Sequence, residues 1–509
     1  MPAFDVRDLL EAAGQTDRQA AAPTTQPIGA TEAQGRGNAG RGEPLSPVVL
    51  VDCVRAGEFL LILALGVAVR HLSATCLAPL SFRQFAAAFG VAVLAVGLFQ
   101  AAGAYRIDAV RSLRTGLRLG LAWTATVLVV GTGLVLAEAD DPCTRAWLAN
   151  LFAFGLGLLL AERFAVARII RTRMRRGRFD RRTAIVGGGP VAEDLIRALD
   201  AQAESGIRIV GVFDDRGDRR SDTVVAGYPK LGTVDDLVAY ARTTRLDLVI
   251  FTIPITAEDR ILQMLAKLWV LPIDIRLSAQ ASKLRLRPRA YSYLGTVPVL
   301  DVFDKPMADW DIIAKSVFDR LVGLAMLVAL SPVMLGVALA VALTSPGPVL
   351  FRQKRYGFNN EAIEVYKFRS MYNDKADVAA SRQVTRGDPR VTPVGRFIRR
   401  TSLDELPQLF NVIKGELSLV GPRPHALQGH VSNTLYDQVV DGYFARHKVK
   451  PGITGWAQVN GWRGETDTSD KIQRRVEHDL HYIENWSVLF DIKIMLATPM
   501  SLISTKNAY

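Results

Sequence analysis

Four apolar segments in the first third of the chain restrict its fold more than any other feature of the sequence. They cover residues 49–70, 85–104, 117–137 and 146–167. Each approaches the ~20 residues that a helix needs to cross a bilayer, so residues 46–168 are predicted to form four transmembrane helices. Residues 1–45 are polar and rich in Gly, Ala and Gln, which predicts a disordered N-terminal tail.

The charges between these segments predict their orientation. Residues 105–118 hold four arginines and residues 168–182 are densely basic, whereas residues 138–145 are acidic apart from Arg145. Because basic loops stay on the cytoplasmic side, both ends of the four-helix region are predicted to be cytoplasmic. Cys76 and Cys143 then lie on the outer side, where a disulfide is permitted.

Charge and length exclude some classes of protein. A chain of 509 residues is too long for a single core. Its net charge of +12 is compatible with nucleic-acid binding, but the arginines cluster at the ends of apolar segments, so no nucleic-acid partner is predicted. Asp52, Arg55 and Glu58 follow helical spacing in the first apolar segment. They are predicted to lie at the membrane interface or to pair with one another, with an intramembrane site as the alternative.

From Arg182 onward the pattern becomes that of a soluble α/β domain. A strand over 183–186 leads into Gly187-Gly188-Gly189-Pro190 and a helix, and a second strand ends at Asp214. Gly187, Gly189 and Asp214 match the dinucleotide-binding fingerprint of a tight turn followed by a ribose-binding acid. Pro190 departs from that fingerprint, and the chain contains no Tyr-x-x-x-Lys. Residues 180–300 therefore predict a Rossmann-like domain of regulatory or structural use, with NAD-dependent catalysis or a bound nucleotide of another kind as the alternatives.

A fifth apolar segment, residues 321–343, is long enough to cross a bilayer, yet both of its flanks are basic. Basic flanks predict that both ends stay in the cytoplasm. Ser331-Pro332 lies at its middle, where proline interrupts a helix and the serine hydroxyl can bond a freed carbonyl. The sequence predicts a re-entrant helix-break-helix hairpin over residues 316–345, and a kinked fifth transmembrane helix is the alternative.

Two adjacent carboxylates, Asp404 and Glu405, lie between arginines and Pro407. A capping box from Ser402 to Glu405 would place Pro407 at the fifth helical position, where it removes a hydrogen bond. A helix beginning at Asp404 would place Pro407 in the first turn and Asp404 at the positive end of the helix dipole. An anionic pair among cations suits phosphoryl transfer with a divalent metal, and a capped surface helix is the alternative.

Five motifs follow one another in the last third of the chain. They are Lys367-Phe368-Arg369-Ser370-Met371, Asp388-Pro389-Arg390-Val391-Thr392, Leu403-Asp404-Glu405-Leu406-Pro407-Gln408, Gly421-Pro422-Arg423-Pro424 and Lys450-Pro451-Gly452-Ile453-Thr454-Gly455. Together they resemble the bacterial sugar transferases, the monotopic polyprenyl-phosphate hexose-1-phosphate transferases that begin exopolysaccharide, capsule and O-antigen repeats. The resemblance runs from about Lys315 to the C-terminus. The preceding segments resemble the large members of this family.

The resemblance implies transfer of hexose-1-phosphate from a UDP-sugar to undecaprenyl phosphate, with release of UMP. It implies Asp404 as the nucleophile that forms a covalent phospho-sugar enzyme, and Glu405 as the ligand of Mg²⁺. Arg423, between two prolines, is predicted to be a phosphate clamp. Four further candidates for substrate contacts are Lys367, Arg369, Asp388 and Arg390.

The resemblance also implies where the protein works and what it meets. The expected location is the bacterial inner membrane, with both soluble domains in the cytoplasm. The expected partners are the UDP-sugar, undecaprenyl phosphate and membrane lipids, and a homodimer is left open.

The sugar is predicted from residues 461–468, Gly-Trp-Arg-Gly-Glu-Thr-Asp-Thr, which are similar to the segment in members that transfer glucose-1-phosphate. UDP-glucose is the first choice and the galactose donor the second. Arg463 and Glu465 are candidate sugar or nucleotide contacts, and a structural loop is the alternative. Two other classes remain open: a nucleotide-sugar epimerase or dehydratase, and a non-enzymatic membrane sensor, which would leave the carboxylate pair without a purpose.

The predicted fold class is a mixed membrane protein. A four-helix transmembrane bundle precedes the Rossmann-like domain, and a mainly helical transferase domain with the re-entrant hairpin occupies residues 312–509. Its last segments, 485–490 and 492–500, carry an aromatic and apolar face that fits either the membrane interface or packing inside the domain.

Overall fold

The computed structural model describes most of the chain from residue 46 onward. The described residues are 46–72, 82–106, 109–110, 115–136, 142–175, 180–202, 206–217, 223–254, 257–279, 292–294, 297–372, 388–425, 430–431, 434–436, 440, 442–464 and 468–503. They form two compact units that meet in sequence at Asp180 and Arg181. The predicted tail over residues 1–45 lies outside the described residues.

The first unit contains four helices that coincide with the four apolar segments. They are α1 Pro47–Leu72, α2 Phe82–Ala101, α3 Thr115–Leu136 and α4 Pro142–Arg175. Each packs against two others, in the cycle α1, α2, α3, α4. Phe99, Trp123 and Leu151 are fully buried in the shared core, while Leu121 and Leu128 are exposed on the outside. An apolar outer face is typical of helices that contact lipid.

Two helices among the described residues are long and apolar enough to cross a membrane. One is Gly116–Leu136 of the bundle and the other is Trp310–Thr344 of the second unit. These two helices, together with the relatives described below, place the chain among membrane proteins. That all four helices of the bundle cross the bilayer stays a prediction.

The charged residues of α1 are paired. Arg55 lies 3.4 Å from Asp52. Glu58 is fully buried, pairs with Arg163 of α4 at 2.6 Å and accepts a 2.7 Å hydrogen bond from the Tyr105 hydroxyl. The predicted pairing therefore includes a partner from another helix, which sequence spacing did not reveal.

The predicted outer cysteines are described only in part. Cys143, in the first turn of α4, is disulfide-bonded. Its predicted partner Cys76 lies outside the described residues. The pairing of these two cysteines therefore stays a prediction.

The second unit begins with an eight-stranded sheet. Its strands are β1 Arg181–Val186, β2 Ile207–Phe213, β3 Val224–Val225, β4 Tyr228–Gly232, β5 Leu248–Phe251, β6 Asp274–Ser278, β7 Ser292–Leu294 and β8 Val297–Phe303. Its helices are α5 Pro190–Asp200, α6 Val234–Thr243 and α7 Glu258–Leu268. The spatial order is β3-β4-β2-β1-β5-β6-β8-β7, with a parallel centre from β4 to β6. The predicted α/β domain is confirmed, and its topological switch point lies between β1 and β5.

The transferase domain combines helices with short strands. It contains α8 Trp310–Thr344, the hairpin β9 Leu350–Tyr356 and β10 Ala362–Phe368, α9 Pro393–Thr401, α10 Gln408–Lys414, β11 Ser418–Val420, β12 His430–Val431, β13 Thr434–Leu435, β14 Gly452–Thr454, α11 Trp456–Val459, α12 Ser469–Glu484 and α13 Val488–Ile503. Short 3₁₀ helices occupy Phe358–Asn360, Leu403–Glu405 and Tyr443–Lys448. The last of these is called the bridging helix below.

Helix α8 passes through Ser331-Pro332 without a break, so the two separate helices predicted there are absent from it. The Ser331 hydroxyl donates a 2.8 Å hydrogen bond to the carbonyl of Val328, the group that loses its partner because Pro332 has no N–H. This compensation is the one that the sequence predicted. A proline in a helix commonly kinks it without ending it.

Both halves of α8 pack on the same domain. Phe318 and Val322 contact the core around Leu419, while Val337 and Val341 pack with Ile398. The opposite face exposes large apolar side chains, namely Leu321, Leu324, Val328, Leu335, Leu339 and Leu343. The re-entrant path through a membrane stays a prediction.

Helix α13 combines the two alternatives considered for the end of the chain. Asp491 and Ile494 are fully buried within the domain, whereas Leu489, Leu496 and Met500 are more than two-thirds exposed. One face of the helix therefore packs and the other presents an apolar surface.

The bridging helix joins the nucleotide-fold domain to the transferase domain. Arg242 of α6 lies over the Phe444 ring at 4.6 Å, and Lys448 lies 5.0 Å from the ring centre of Trp269. Gly442 precedes this helix with φ +70, and a Cβ there would lie 2.2 Å from the Trp269 ring. The contact is thus too close for any side chain at residue 442 unless Trp269 moves.

Candidate active site

The carboxylate pair lies in a 3₁₀ turn between two helices. Ser402 ends α9 in the left-handed conformation (φ 58), residues 403–405 form the turn, and α10 begins at Gln408 after Pro407. Both predicted helix starts are therefore wrong, because neither Ser402 nor Asp404 caps an α-helix. Proline is accommodated just before the first helical turn, where its missing N–H has no partner to lose.

Glu405 is fixed by two cations. Its Oε1 lies 2.8 Å from Lys367 Nζ and 2.6 Å from Arg423 Nη2, while Arg423 Nη1 donates to Oε2 at 3.1 Å. Burial alone would raise the pKa of Glu405, but the charges of Arg423 and Lys367 outweigh it and hold the pKa well below its usual range. Glu405 is therefore ionised at neutral pH, and it orients both cations.

Asp404 has a different environment. It is partly exposed, and its carboxylate makes no hydrogen bond or ion pair with the described residues. Burial and the neighbouring charge of Glu405 raise the pKa of Asp404 to about 6, although Lys367, Arg399 and Arg423 oppose the shift. Adjacent carboxylates with different pKa values commonly have different chemical roles.

Lys367 is largely buried beside Glu405 and close to two other cations, Arg423 and Arg355. Burial lowers the pKa of Lys367, the charge of Glu405 raises it, and Arg423 and Arg355 lower it further. The structure thus brings Lys367, Arg423, Asp404 and Glu405 together, as four of the predicted site residues.

Arg423 is positioned by two backbone segments of the chain that lie in direct contact. Strand β11 pairs in parallel with β14, and the N–H of Gly421 donates to the carbonyl of Thr454 at 2.9 Å. A Cβ at Gly421 would lie 2.5 Å from the carbonyl oxygen of Lys450, and one at Gly455 would lie 2.3 Å from that of Gly421. The fourth and fifth motifs therefore meet backbone to backbone, which explains their glycines.

A buried ion pair anchors the strand that leads to Arg423. Lys315 Nζ lies 2.6 Å from Asp491 and 3.2 Å from Asp319, and it donates to the carbonyl of Val420 at 3.0 Å. These residues were not predicted. The i, i+4 spacing of Lys315 and Asp319 at the start of an apolar helix was the available signal.

A second buried network lies on the other side of Arg423. Arg446 of the bridging helix is fully buried, donates to the carbonyl of Arg423 at 2.8 Å and pairs with Asp479 at 2.6 Å. His425 Nδ1 lies 2.6 Å from the Arg446 guanidinium. Burial and the charge of Arg446 hold the pKa of His425 well below its usual range, so the imidazole is neutral. Sequence analysis missed these residues, because nothing local distinguishes a buried arginine from an exposed one.

The remaining predicted contacts lie in different places. Arg463 donates to the Ser402 hydroxyl, two residues before Asp404. Arg390 pairs with Asp388, with Nη2 to Oδ2 at 2.6 Å and Nε to Oδ1 at 3.0 Å, and these hydrogen bonds lower the pKa of Asp388 to about 2. Glu465 lies outside the described residues.

Arg369 is not among the residues at the carboxylate pair. Its buried guanidinium donates to the carbonyl of Ser345 at 2.6 Å and to the Ser345 hydroxyl at 3.0 Å, next to the last residue of α8. A cation at the C-terminus of a helix bonds the carbonyls left without partners. The structure therefore gives Arg369 a helix-capping role, and its predicted phosphate contact stays a prediction.

In the glycine-rich loop of the nucleotide-fold domain, the predicted ligand-binding groups already bond to other residues of the protein. Gly187 and Gly189 have φ +99 and +90, and Pro190 takes the first position of α5, where proline is tolerated. The predicted ribose ligand Asp214 is buried, accepts a 3.0 Å hydrogen bond from the N–H of Gly188 and pairs with Arg216 at 2.8 Å. Nucleotide binding by Gly187, Gly189 and Asp214 stays a prediction.

The described residues contain no cluster of three or more His, Cys, Asp or Glu side chains suited to a metal. They do supply the two carboxylates of Asp404 and Glu405. Mg²⁺ in phosphoryl-transfer sites is held by one or two carboxylates together with phosphates and waters. The pair therefore fits Mg²⁺ that binds with a phosphate-bearing substrate.

Comparison with known proteins gives two family matches. A family model described as bacterial sugar transferase matches residues 310–505, and one described as CoA-binding domain matches residues 100–279.

Several individual relatives are similar to between 38% and 68% of this chain. An undecaprenyl-phosphate glucose phosphotransferase of Komagataeibacter xylinus is 42% identical over 68% of this chain and 64% of its own length. A UDP-glucose:undecaprenyl-phosphate glucose-1-phosphate transferase of Escherichia coli K12 is 40% identical over 65% of this chain and 69% of its own length. An exopolysaccharide production protein of Rhizobium leguminosarum is 47% identical over 38% of this chain and 96% of its own length.

Proposed function

The chain belongs to the bacterial sugar transferase family, and on that premise we propose that it transfers glucose-1-phosphate from UDP-glucose to undecaprenyl phosphate and releases UMP. Two relatives carry this activity in their names. The relative named as an exopolysaccharide production protein supports a role in exopolysaccharide synthesis. We propose that this role is to start the repeat unit of an exopolysaccharide or capsule. The observation that carries the proposal is the asymmetry of the carboxylate pair: Glu405 is bound by two cations and Asp404 is open.

The transfer proceeds in two displacements. An ionised Asp404 oxygen forms a bond to the sugar-bearing phosphorus, and the bond from that phosphorus to the bridging oxygen of UMP breaks. An oxygen of undecaprenyl phosphate then forms a bond to the same phosphorus, and the Asp404 carboxylate leaves unchanged. Covalent catalysis of this kind divides one difficult displacement into two easier steps.

Arg423 and Lys367 bind the diphosphate of the UDP-sugar in the first step and the phosphate groups of the phospho-sugar enzyme and undecaprenyl phosphate in the second. The ion pairs with Glu405 hold them beside Asp404 before the substrate arrives, and 25% of the Arg423 side chain and 18% of the Lys367 side chain are exposed. The planar guanidinium suits two oxygens of one phosphate, and the ammonium supplies a point charge. Cations fixed in advance stabilise the charge that develops on the departing UMP.

Mg²⁺ is proposed as the cofactor, held by Glu405 together with the diphosphate. A carboxylate has about four lone-pair sites, so the three bonds from Lys367 and Arg423 leave about one acceptor position, on Oε2, for a cation. When bound, Mg²⁺ would neutralise charge on the leaving phosphate. Glu405 also orients Lys367 and Arg423 through its ion pairs.

The membrane brings the site to its lipid substrate. The exposed apolar face of α8 and the exposed residues of α13 would lie in the bilayer, with the carboxylate pair at headgroup level. Because both halves of α8 contact one domain, we propose that this helix bends at Ser331-Pro332 and enters and leaves the membrane on the cytoplasmic side. The four bundle helices are proposed to span the inner membrane with both soluble domains in the cytoplasm.

A direct test uses membranes that contain the protein, radiolabelled UDP-glucose and undecaprenyl phosphate. Label in the lipid phase together with UMP in the water phase supports the proposal, and the same assay with UDP-galactose tests the second sugar. The matched control is Asp404→Asn, which should transfer nothing. A modified sugar that stays in the water phase would instead support an epimerase.

A further inference from the structure

Arg475 of α12 is a buried arginine with no part in the chemistry proposed above. Only 6% of it is exposed. Its Nε donates to the carbonyl of Trp462 at 2.9 Å and its Nη2 donates to the carbonyl of Gly464 at 2.8 Å. These two carbonyls flank Arg463. A planar guanidinium with two bonds of this kind fixes both the position and the direction of a turn.

The turn that Arg475 holds reaches the carboxylate pair. The guanidinium of Arg463 donates to the hydroxyl of Ser402, which begins the 3₁₀ turn of Asp404 and Glu405. Arg463 therefore lies on the edge of the site, with its main chain fixed from behind by Arg475.

Arg475 also contacts the buried network of His425 and Arg446 that lies behind Arg423. Its Nη1 lies 3.4 Å from Nε2 of the neutral His425, which contacts Arg446. A buried guanidinium has a large desolvation cost, and apolar side chains commonly fill such a space with equal or greater stability. An arginine at this place is thus better explained by the carbonyls that it orients than by the stability that it provides.

We propose that Arg475 is a positioning residue for the sugar nucleotide: it holds the turn over residues 462–464 so that Arg463 contacts the UDP-sugar beside Asp404. The inference rests on the proposed function, since it assumes a UDP-sugar at this site. It assigns to Arg475 an effect on donor binding and none on the lipid acceptor.

The test measures kcat and KM for both substrates with the full-length protein in membranes or detergent. Arg475→Gln is expected to raise the KM for UDP-glucose about tenfold, with kcat and the KM for undecaprenyl phosphate changed less than about twofold. A merely structural role would lower the amount of active enzyme and leave the KM values unchanged. The matched control is Arg276→Gln, another largely buried arginine that donates to a carbonyl, that of Phe303, in the nucleotide-fold domain.

A double-mutant cycle with Arg463→Gln shows whether Arg475 acts through Arg463. In the Arg463→Gln background, Arg475→Gln should raise the KM for UDP-glucose less than about twofold more, because coupled residues are not additive. Additive effects, or an unchanged KM in folded Arg475→Gln, would overturn the inference.

Two further variants complete the test. If Arg475→Gln fails to fold, Arg475→Lys keeps the charge but cannot bond both carbonyls with one ammonium group, so it should raise the KM for UDP-glucose in the same way. Arg463→Gln alone must also raise the KM for UDP-glucose, and an unchanged value overturns the inference without any change at Arg475. If the native protein transfers no hexose from any UDP-sugar, the proposed function fails instead.

Discussion

The carboxylate pair and the glycine-rich loop both match motifs for phosphate-bearing ligands. Their aspartates, Asp404 and Asp214, differ in the hydrogen bonds and ion pairs that they make within the protein. Asp214 accepts hydrogen bonds from the backbone N–H groups of Gly188 and Arg216. The Arg216 guanidinium also donates a 2.7 Å hydrogen bond to the carbonyl of Gly188. Asp404 has no such partner among the described residues, and the cations beside it are held by Glu405.

The difference shows that a sequence motif predicts ligand binding only when its side chains are not already bonded to other residues of the protein. In the loop, a ligand would have to replace an internal ion pair before it could bind Asp214. At the carboxylate pair, a phosphate would meet cations that are already oriented and a nucleophile that is open.

Asp404→Asn should abolish transfer, with a loss of order 10³-fold or more in rate, because an amide cannot attack phosphorus. It should also abolish the covalent phospho-sugar adduct in protein quenched after exposure to UDP-glucose without lipid acceptor. Mass spectrometry of peptides measures the adduct. An adduct in Asp404→Asn, or one mapped to Glu405 in the native protein, would contradict the assignment of the nucleophile.

Glu405→Gln should slow both displacements by about 10²-fold or more while the adduct still forms on Asp404. The reason is that the neutral amide no longer holds Lys367 and Arg423, and it binds Mg²⁺ poorly. The measurement is the rate of adduct formation in a quenched time course at several Mg²⁺ concentrations. An adduct that forms at the native rate would mean that the cations are positioned by other groups.

The pH dependence should follow the raised pKa of Asp404. With a pKa of about 6, the fraction of ionised nucleophile falls below that pH, so kcat/KM for UDP-glucose should be about tenfold lower at pH 5 than at pH 7. A nucleophile with an ordinary carboxyl pKa near 4 would lose little rate over this range. A value of kcat/KM that stays constant from pH 7 to pH 5 would therefore contradict the proposed difference between Asp404 and Glu405.

The same pKa predicts a change in stability with a definite sign. A carboxyl whose pKa is raised by folding favours the folded state when protonated, and this contribution is lost as the pH rises through about 6. Asp404→Asn should thus raise the free energy of unfolding at pH 7, and its advantage should shrink near pH 4. Thermal unfolding at the two pH values, with native protein as the reference, measures the difference.

Asp214→Asn should have the smallest effect, with transfer changed less than about twofold. The change removes the charge that pairs with Arg216 but leaves the carboxylate pair intact. The transfer assay with UDP-glucose checks it. A loss comparable to that of Glu405→Gln would mean that the glycine-rich loop takes part in the reaction, which would end the contrast between the two regions.

The sequence predicted the elements and the central side chains well because those signals are local. The apolar segments coincide with four helices of the bundle, strand patterns predicted the α/β domain, and the ordered motifs brought Lys367 and Arg423 to Asp404 and Glu405. Each of these depends on residue types at short spacing.

The sequence was less informative where tertiary contacts decide between local alternatives. Arg474 and Arg475 are neighbours in a polar helix, yet Arg474 is half exposed while Arg475 is buried. Arg369 lies in a motif with Lys367, yet it donates to the carbonyl at the end of α8 while Lys367 pairs with Glu405. The start of α10 at Gln408 follows a 3₁₀ turn over residues 403–405, and neither predicted register included that turn.

The bridging helix has a consequence for exchanging domains between relatives. A hybrid joined after Phe303 would bring a foreign partner against Gly442, where the native ring of Trp269 leaves no room for a side chain. The same short helix carries Arg446, which is bonded to the carbonyl of Arg423. A recombinant with a new nucleotide-fold domain should therefore inherit Arg242 and Trp269 or receive a matching segment over residues 442–448, so the unit of exchange is larger than the domain boundary suggests.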